Sequence, residues 1–418
     1  MALSEGVQST LRYKFYSTGV MNAATEPAPA TEPGASGGRL LRRVSTTLNL
    51  RKSAYASSEI REDRQIGDFR HGGRRVEGAI SGEFSPATYF DFIEAAHRDT
   101  ATAANLSTTQ AVITSLAADN AASTLTFGGG DPVTIGFRVG DIIRATNLTG
   151  AGIPNNGRNF TILGFGGASN RTITVSPAPT THTAITTVTV TRPGRTSIVP
   201  ATGHVSRRVA VEDHATDLDL SRLFTECRVS GYRLGLPAEG MATFETMLMG
   251  RGMQVLTGAS APFFTAPTAI TTTGIGAAAN GLIRVGGATV GVITGVELSL
   301  AMEADAPSVV GQLFPPEIFL GTASVSGTMT ALFDDEVLLN NYINEDEISV
   351  LVRVDAGGGA APEAVSIFLP RIKFTGGDVQ RSGQGAQPIS LPFQALRFLG
   401  STAGVDQTTI RIHDTAAT

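Results

Sequence analysis

Cysteine and long apolar runs are nearly absent from this sequence. The single cysteine, Cys227, excludes a disulfide within the chain and a CxxC metal site. The most apolar region, 281–301, is interrupted by Arg284, Glu297 and several glycines, so it does not reach the length of a membrane-spanning helix. The N-terminus has neither the basic nor the apolar segment of a signal peptide. These absences predict a cytoplasmic protein without membrane insertion.

Charged residues are also few, at 17% of the chain, and the net charge is −5. Proteins that grip nucleic acid usually carry a concentrated basic face, which this balance does not suggest. It suits a protein that must not adhere to DNA, or an ordinary acidic soluble protein. Glycine is abundant, at 48 residues, and low charge with much Gly, Thr and Val favours sheet structure.

Motifs of catalysis and metal binding are missing. No HExxH, GxSxG or P-loop pattern occurs, and the histidines are scattered along the chain, at positions 71, 97, 182, 204, 214 and 413. The GGGD at 128–131 has no following Lys and fits a hairpin turn better than a phosphate site. The acidic cluster at 213–219 lacks the Gly and terminal Glu of an EF-hand loop. We therefore predict no catalytic residue, no cofactor and no metal, and a buried structural thiol at Cys227.

The same order of predicted strands and helices occurs twice along the chain. In the first half, residues 44–51 and 76–84 alternate between apolar and polar, which is the period of half-buried strands. Ser85 is predicted to cap a helix with Pro86 at its first position. The apolar residues that this helix is expected to bury are Phe92, Ile93 and Ala96.

The second half follows the same order. Residues 292–301 and 323–332 alternate, and both halves place a Ser-Gly pair in the second of these strands, at 81–82 and 326–327. Asp334, the first residue of a DDE triplet, is predicted to cap the next helix, because acids at a helix start complement its dipole. That helix carries Val337, Leu338 and Tyr342.

Each half also ends in two strands around a turn, at 224–250 and 367–400, with a β-bulge expected near Ser230-Gly231. Between the strand–helix segment with the Ser-Gly pair and these last two strands, the first half is longer than the second by roughly the length of a small domain. The excess, 105–200, contains short β-rich runs separated by Gly, Asn and Pro turns, which is typical of a small barrel or sandwich. Duplication with an inserted domain explains this layout; two unrelated antiparallel domains remain the alternative.

Two stretches carry a resemblance to a known family. The first combines GVQSTLRYKF at 6–15 with RVSTTLNLRKSAYASSEIREDRQIGDFRHGGRRVEGAISGEF at 43–84, and the second is FTECRVSGYRLGLPAEGMATFETMLMG at 224–250. They resemble the tail tube proteins of long-tailed, siphophage-type bacteriophages over residues 1–98 and 204–256. Glu226 stands where that family usually has Gly, and YSTGVMNAATEP replaces its familiar TYGTTP.

The resemblance implies a twisted β-sandwich or partial barrel with one flanking helix. With the repeat, it predicts a mainly β chain of two tandem tail-tube domains, each with a short helix, and an inserted small β domain. The predicted segments are an N-terminal arm or linker (1–38), a first tube domain (39–104 plus 201–258), the insert (105–200), a linker (259–281), a second tube domain (282–400) and a C-terminal tail (401–418).

The resemblance also implies a structural role in the virion tail, with assembly in the bacterial host cytoplasm. Such proteins form rings that stack into a tube through which DNA passes. A duplicated chain is expected to form a trimeric ring with pseudo-sixfold symmetry. The implied partners are further copies of the chain, a tape measure protein, a distal tail protein and a tail terminator, with transient non-specific contact with DNA.

Charge is distributed unequally between the two equivalent loops. Residues 39–77 contain ten Arg or Lys and five Asp or Glu, whereas 301–350 contain nine acids and no Arg or Lys. We hypothesise that a basic set on one half faces an acidic set on a neighbouring half in rings or stacks: Arg61, Arg64, Arg70, Arg74 and Arg75 opposite Glu303, Asp305 and Glu317. The alternative is local pairing of these arginines with Glu62, Asp63 and Asp68.

Two other functions remain open. A baseplate, distal tail or receptor-binding protein of the same virion also uses β-rich domains but stops at a single ring. A polysaccharide-degrading tail enzyme needs a pair of acids in a cleft, for which the repeat gives no reason.

Overall fold

The computed structural model describes residues 5–26, 28–100, 102, 104–290, 292–333, 336–379 and 385–418. The predicted helix cap Asp334 and its neighbour Asp335 lie outside the described residues.

The first half begins with strands and one helix. Its elements before the insert are β1 (Ser9–Phe15), β2 (Arg39–Leu41), β3 (Ser45–Thr46), β4 (Asn49–Ala56), β5 (Phe69–Glu83) and α1 (Phe90–His97). A region of short elements follows, comprising β6 (Leu106–Thr109), α2 (Gln110–Ile113), β7 (Leu116–Asp119), β8 (Thr124–Phe127), α3 (Pro132–Ile135), β9 (Ile142–Thr146), β10 (Phe160–Gly166), β11 (Thr172–Ser176), β12 (His182–Ile185) and β13 (Thr189–Arg192). The half ends with β14 (Arg195–Ile198), β15 (Val209–Ala215), β16 (Leu220–Pro237), β17 (Thr243–Gly250) and β18 (Gly252–Thr257).

The second half contains the remaining strands and one more helix. These are β19 (Ala277–Val285), β20 (Ala288–Thr289), β21 (Ile293–Asp305), β22 (Phe319–Leu332), α4 (Val337–Ile343), β23 (Ile348–Asp355), β24 (Ala364–Phe374), β25 (Asp378–Val379), β26 (Pro388–Ala395) and β27 (Arg411–Asp414). Short 3-10 turns occupy Gly6–Gln8, Gly150–Asn155, Ala168–Asn170 and Gly258–Ser260. The expectation of a mainly β protein with short helices is confirmed.

The inserted region forms a sheet of its own. Strands β6 to β13 make an eight-stranded sheet in the order β12-β7-β8-β11-β10-β9-β13-β6, separate from the large sheet that contains the other strands. Its core is also its own and includes Phe127, Phe137 and Phe160, all of which are buried. The short strands with polar turns that the sequence suggested therefore do close around a hydrophobic centre.

The two halves repeat one pattern of strand pairing. In the first half β1 pairs with β15, β15 with β16, β16 with β17, and β17 with β5, which also holds β3 and β4. In the second half β19 pairs with β23, β23 with β24, β24 with β26, and β26 with β22, which also holds β21. Each strand of the first series therefore has a counterpart in the second that occupies the same place in chain order and in sheet order. Helices α1 and α4 follow the equivalent strands β5 and β22.

The serines of the two Ser-Gly pairs make equivalent contacts. Ser81 pairs with Ser45 on the neighbouring strand, with their hydroxyl oxygens 2.7 Å apart. Ser326 pairs with Ser299 in the same way, with the oxygens 3.2 Å apart. The repeated sequence therefore reflects a repeated cross-strand hydrogen bond.

The glycines of these pairs leave space for aromatic side chains. A Cβ on Gly82 would collide with the Tyr89 hydroxyl, and a Cβ on Gly327 would collide with the Phe393 ring. Both glycines lie opposite a phenylalanine, Phe244 and Phe393 respectively, on the next strand. Both halves therefore require a residue without a side chain at this position.

The first helix begins later than its sequence signal indicated. Helix α1 starts at Phe90, whereas the Ser85 hydroxyl lies 2.6 Å from that of Thr88 in the preceding turn, so the prediction of a cap at Ser85 is wrong. The helix residues expected to be buried, Phe92, Ile93 and Ala96, are buried. The expected bulge is also confirmed, as a register shift between Val229 and Gly231.

The terminal segments take part in the sheet. Strand β1 lies inside the predicted arm yet pairs along its whole length with β15. Strand β27 lies inside the predicted tail and pairs with both β14 and β24. Alternating apolar residues such as Leu11 and Tyr13 are buried in the main core, which explains why residues 9–15 form a strand.

Candidate assembly surfaces

One continuous antiparallel sheet crosses both halves. Residues 231–237 of β16 pair with residues 295–301 of β21, which joins the first half to the second. The strand order is β4, β5, β17, β16, β21, β22 and β26, and it ends with residues 372–379 of β24 and β25. The two tube-like halves therefore share one wall.

One face of this wall is concave and carries charged side chains. A single groove is lined by residues of every strand line in the wall, from Val44 at one end to Thr375 at the other. Strand alternation points one set of side chains into it, including three carboxylates and one guanidinium: Glu83, Glu245, Glu297 and Arg233. The opposite face packs on the main core, which contains Tyr89, Phe92 and Phe244.

The inserted sheet lies on the side away from the concave face. Strands β23 and β24 bury Val352 and Ile367 in the main core, while Leu351 and Phe368 pack on Val139 of the insert. Alternate residues of the same strands therefore face opposite ways. The layers run from the concave wall, through the core and the β23–β24 layer, to the insert.

Salt bridges fix the insert in this position. Asp141, fully buried, accepts hydrogen bonds from Arg411 of β27 at 2.7 Å and lies 3.6 Å from Arg192. The charged guanidinium of Arg411, together with Arg192, keeps the pKa of Asp141 below its usual value despite burial. Arg138 bonds Asp406 at 2.9 Å. Sequence reasoning missed this contact, because its partners lie far apart in the chain.

Both ends of the continuous wall are unpaired within the described residues. Strand β3 pairs only with β5, and Val44, beside it, is 69% exposed. At the far end, residues 373–375 bond β26 on one side and no described strand on the other. Free edges of this kind are sites where a sheet can be extended by another chain.

The arginines singled out from the sequence lie on the long β4–β5 hairpin, and three of them pair locally. Arg61 contacts Asp63 at 3.2 Å, Arg70 contacts Asp68 at 2.9 Å, and Arg75 contacts Glu77. These pairs include two of the local partners that formed the alternative to our hypothesis. They are exposed and therefore contribute little to stability.

The remaining members of the set are placed differently. Arg74 pairs with Glu26 at 3.1 Å, and its backbone N–H bonds the Leu313 carbonyl of the second-half loop. Glu317 pairs with Arg228 at 2.9 Å. Arg64, Glu303 and Asp305 are exposed and make no ion pair within the described part of the chain. The structure thus brings the two loops together within one chain but does not join the two charge sets to each other.

Large apolar side chains are exposed in both loops. Ile60 and Ile66 lie in the first-half loop, and Val310 and Leu313 lie in its second-half counterpart. Ile60 and Val310 are fully exposed. The two equivalent loops therefore share exposed apolar side chains.

Glu226 is at the centre of a buried charge cluster. Its φ of 49° is in the region that favours glycine. Its carboxylate accepts hydrogen bonds from Arg208 and, at 2.6 Å, from Arg251. Both guanidiniums also bind the N-terminal segment, through the Thr18 and Asn22 carbonyls. The departure from the family's usual Gly was visible in the sequence, but its two partners were not.

Arg251 extends this cluster to the second half. It donates to the Pro315 carbonyl at 2.7 Å and to the Pro316 carbonyl at 2.8 Å. The N-terminal segment, the first half and the loop after β21 are therefore held at one point.

Other site classes find no support in the described residues. No group of three or more His, Cys, Asp or Glu in that part of the chain is placed to hold a metal ion. No described helix combines the length and apolar character needed to cross a membrane. Cys227 is buried, which raises the pKa of its thiol.

Comparison with known proteins agrees with the fold. The model of a family described as phage tail tube protein matches residues 6–395, which include both halves and the insert. A search of curated proteins found no match. The resemblance inferred from the two quoted stretches is confirmed, and the match extends it across the second half.

Proposed function

Because this chain belongs to the phage tail tube protein family, a structural family of the virion tail, we propose that its copies assemble into closed rings that stack into a hollow tube. Each ring contains three copies, so six similar halves surround the bore in pseudo-sixfold symmetry. The concave face lines that bore, and genomic DNA passes along it into the host. No catalytic step is part of this function.

The observation that carries the proposal is the continuous sheet through both halves. Its strands alternate in direction and are even in number, so the last strand of one copy runs opposite to the first strand of the next. A further copy can therefore extend the wall by the same antiparallel pairing that joins the halves. Three copies supply about 24 strands, and usual strand spacing and tilt give a backbone diameter of about 50 Å.

The hairpin loops are suited to contacts between stacked rings. They carry the exposed apolar residues Ile60 and Val310. In this proposal, the basic set of the first half lies against the acidic set of a neighbouring half in the same ring or in the next one. Arg64, Glu303 and Asp305 are exposed, which supports a role outside their own chain.

The insert belongs on the outside of the tube in this arrangement. It packs on the layer that faces away from the concave wall, through Leu351 and Phe368. An outward domain decorates the tube without narrowing the bore. The tape measure protein, the distal tail protein and the tail terminator are the proposed partners inside and at the ends of the tube, and assembly takes place in the bacterial cytoplasm.

Electron microscopy of purified protein, before and after concentration, tests the proposal. Hollow tubes whose rings contain three copies are the expected result. Single closed rings that do not stack indicate a baseplate or distal tail component instead. A protein that remains monomeric, even when virion tail tips are added as initiators, contradicts the tube assignment.

A further inference from the structure

The junction between the two halves specifies how one copy meets the next. Within the chain, β16 and β21 pair so that Leu234 lies opposite Leu298 and Arg233 lies opposite Ser299. Among the described residues, positions 373–375 of β24, the second-half counterpart of β16, have no strand partner on the corresponding side, and neither does β3, in the first-half counterpart of β21. The molecule therefore contains one complete junction and the two halves of another.

Equivalent positions at the incomplete junction follow from the Ser-Gly pairs. Leu298 pairs with Gly327, and one strand further Gly327 pairs with Phe393, which pairs with Phe374. In the first half Ser45 pairs with Ser81, so Val44 adjoins Gly82, and Gly82 pairs with Phe244, which pairs with Leu234. Val44 is thus the counterpart of Leu298, and Phe374 is the counterpart of Leu234.

We propose that in the assembled ring residues 373–374 of one copy pair antiparallel with residues 44–45 of the next, with Phe374 opposite Val44 and Lys373 opposite Ser45. This register rests on the proposed ring function and adds to it the strand, direction and residue pairs of the contact. A shift by one residue moves a core residue to the bore face or the reverse.

The side chains at both edges fit this register. Leu298, covered by β16, is 4% exposed, whereas its counterpart Val44 is 69% exposed. A neighbouring copy with Phe374 opposite Val44 covers the latter in the same way. On the bore face, Lys373 is the counterpart of Arg233, so a basic residue lies opposite a serine at both junctions.

Cysteine pairs measure this register directly. In antiparallel sheets directly opposed Cα atoms are about 4.5 to 5.5 Å apart, within reach of a disulfide. The variant Ser45→Cys with Lys373→Cys, oxidised after assembly, is expected to give covalent oligomers that end at the size of one ring. The native Cys227 is buried and does not interfere.

Two matched variants control the experiment. Thr46→Cys with Lys373→Cys shifts the pair by one residue, places the thiols on opposite faces and is expected to give no covalent oligomer. Arg233→Cys with Ser299→Cys is the same pair at the complete junction and is expected to form a disulfide within one chain. If the first variant forms rings in microscopy but no covalent oligomers, the register is wrong although the ring function stands. The same conclusion follows if the shifted variant cross-links equally well.

A second substitution tests the contact without cysteines. Val44→Asp changes an exposed residue, so the monomer is expected to fold with an unchanged unfolding midpoint. In the ring the carboxylate meets Phe374, and ring formation is expected to be lost. Normal rings from this variant contradict the proposed register, whereas a parent protein that never forms rings contradicts the proposed function and this inference with it.

Discussion

The carboxylate of Glu226 accepts a hydrogen bond from the guanidinium of Arg251 at 2.6 Å, with neither side chain exposed to solvent. This pair lies where the N-terminal segment, the first half and the second-half loop converge. Buried ion pairs add little when complete, but removal of one partner leaves an uncompensated charge. Glu226 therefore stabilises the fold through its charge, which balances its two arginines, despite the strained backbone at this position.

Substitution Glu226→Gln tests this dependence. It keeps the size of the side chain but removes the carboxylate between Arg208 and Arg251. Arg208 keeps a contact with Glu32 at 3.4 Å, whereas Arg251 loses its ion-pair partner, so we expect the free energy of unfolding to fall by about 3 kcal/mol. Urea unfolding of the unassembled protein measures the change. Glu297→Gln, on the exposed concave face, is the matched control, with an expected change within about 0.5 kcal/mol. Equal effects of the two substitutions contradict a special role for the cluster.

The Ser-Gly junction gives a second test. In Gly82→Ala the new methyl group meets the Tyr89 hydroxyl, and such overpacking typically costs about 1 to 3 kcal/mol. Tyr89→Phe removes that oxygen, so the double variant is expected to lose less stability than the sum of the two single changes. A double-variant cycle by denaturant unfolding measures this coupling, and strictly additive changes argue against the collision.

A glycine with open space provides the control for that cycle. No atom lies within 4 Å of a Cβ placed on Gly164 in β10. Gly164→Ala is therefore expected to change stability far less than Gly82→Ala.

Local patterns predicted the strands well, because alternation reports directly on which face of a sheet is buried. The Ser230-Gly231 slip and the buried face of α1 were predicted for the same reason. The start of α1 was not predicted correctly, because the Ser85 hydroxyl bonds that of Thr88 and the chain makes a further turn before Phe90. The Glu226 cluster and the Asp141–Arg411 contact join residues distant in sequence, and no single-sequence pattern records such partners.

Acid sensitivity should arise partly from His97. This residue is buried against Ser197 and Tyr232, and burial lowers its pKa from 6.5 to about 3. The unfolded chain therefore binds one more proton between these values, so stability present above pH 6.5 is lost as the pH falls toward 3. Its contribution to the slope is about 1.4 kcal/mol per pH unit.

The variant His97→Gln cannot titrate, which isolates this contribution. Its free energy of unfolding is expected to fall less steeply between pH 6 and pH 4 than that of the parent, whatever its stability at pH 7. Urea unfolding at a series of pH values gives both slopes. Parallel slopes would falsify the assignment.

Charge reversal on the long hairpin tests the proposed stacking contact. Arg61 and Arg64 are on an exposed loop, so Arg61→Glu with Arg64→Glu is expected to leave the unfolding midpoint nearly unchanged. Against an acidic neighbour the new carboxylates repel, and polymerisation should be blocked, as measured by sedimentation and microscopy. Arg397→Glu, another exposed arginine, serves as a charge control that should still polymerise. Tubes of normal length from the double variant contradict the contact.

Excision of the insert tests whether it is only an external domain. Its two ends are adjacent, because the Asn105 N–H donates to the Gly194 carbonyl at 3.0 Å, so a two-residue linker can join them. Leu351→Thr and Phe368→Ser remove the apolar surface that excision exposes. Because the concave wall and both free edges are retained, we expect tubes with an unchanged bore and a smaller outer diameter in electron microscopy. A shortened protein that folds, as judged by circular dichroism, but forms no rings assigns the insert to the ring contact itself.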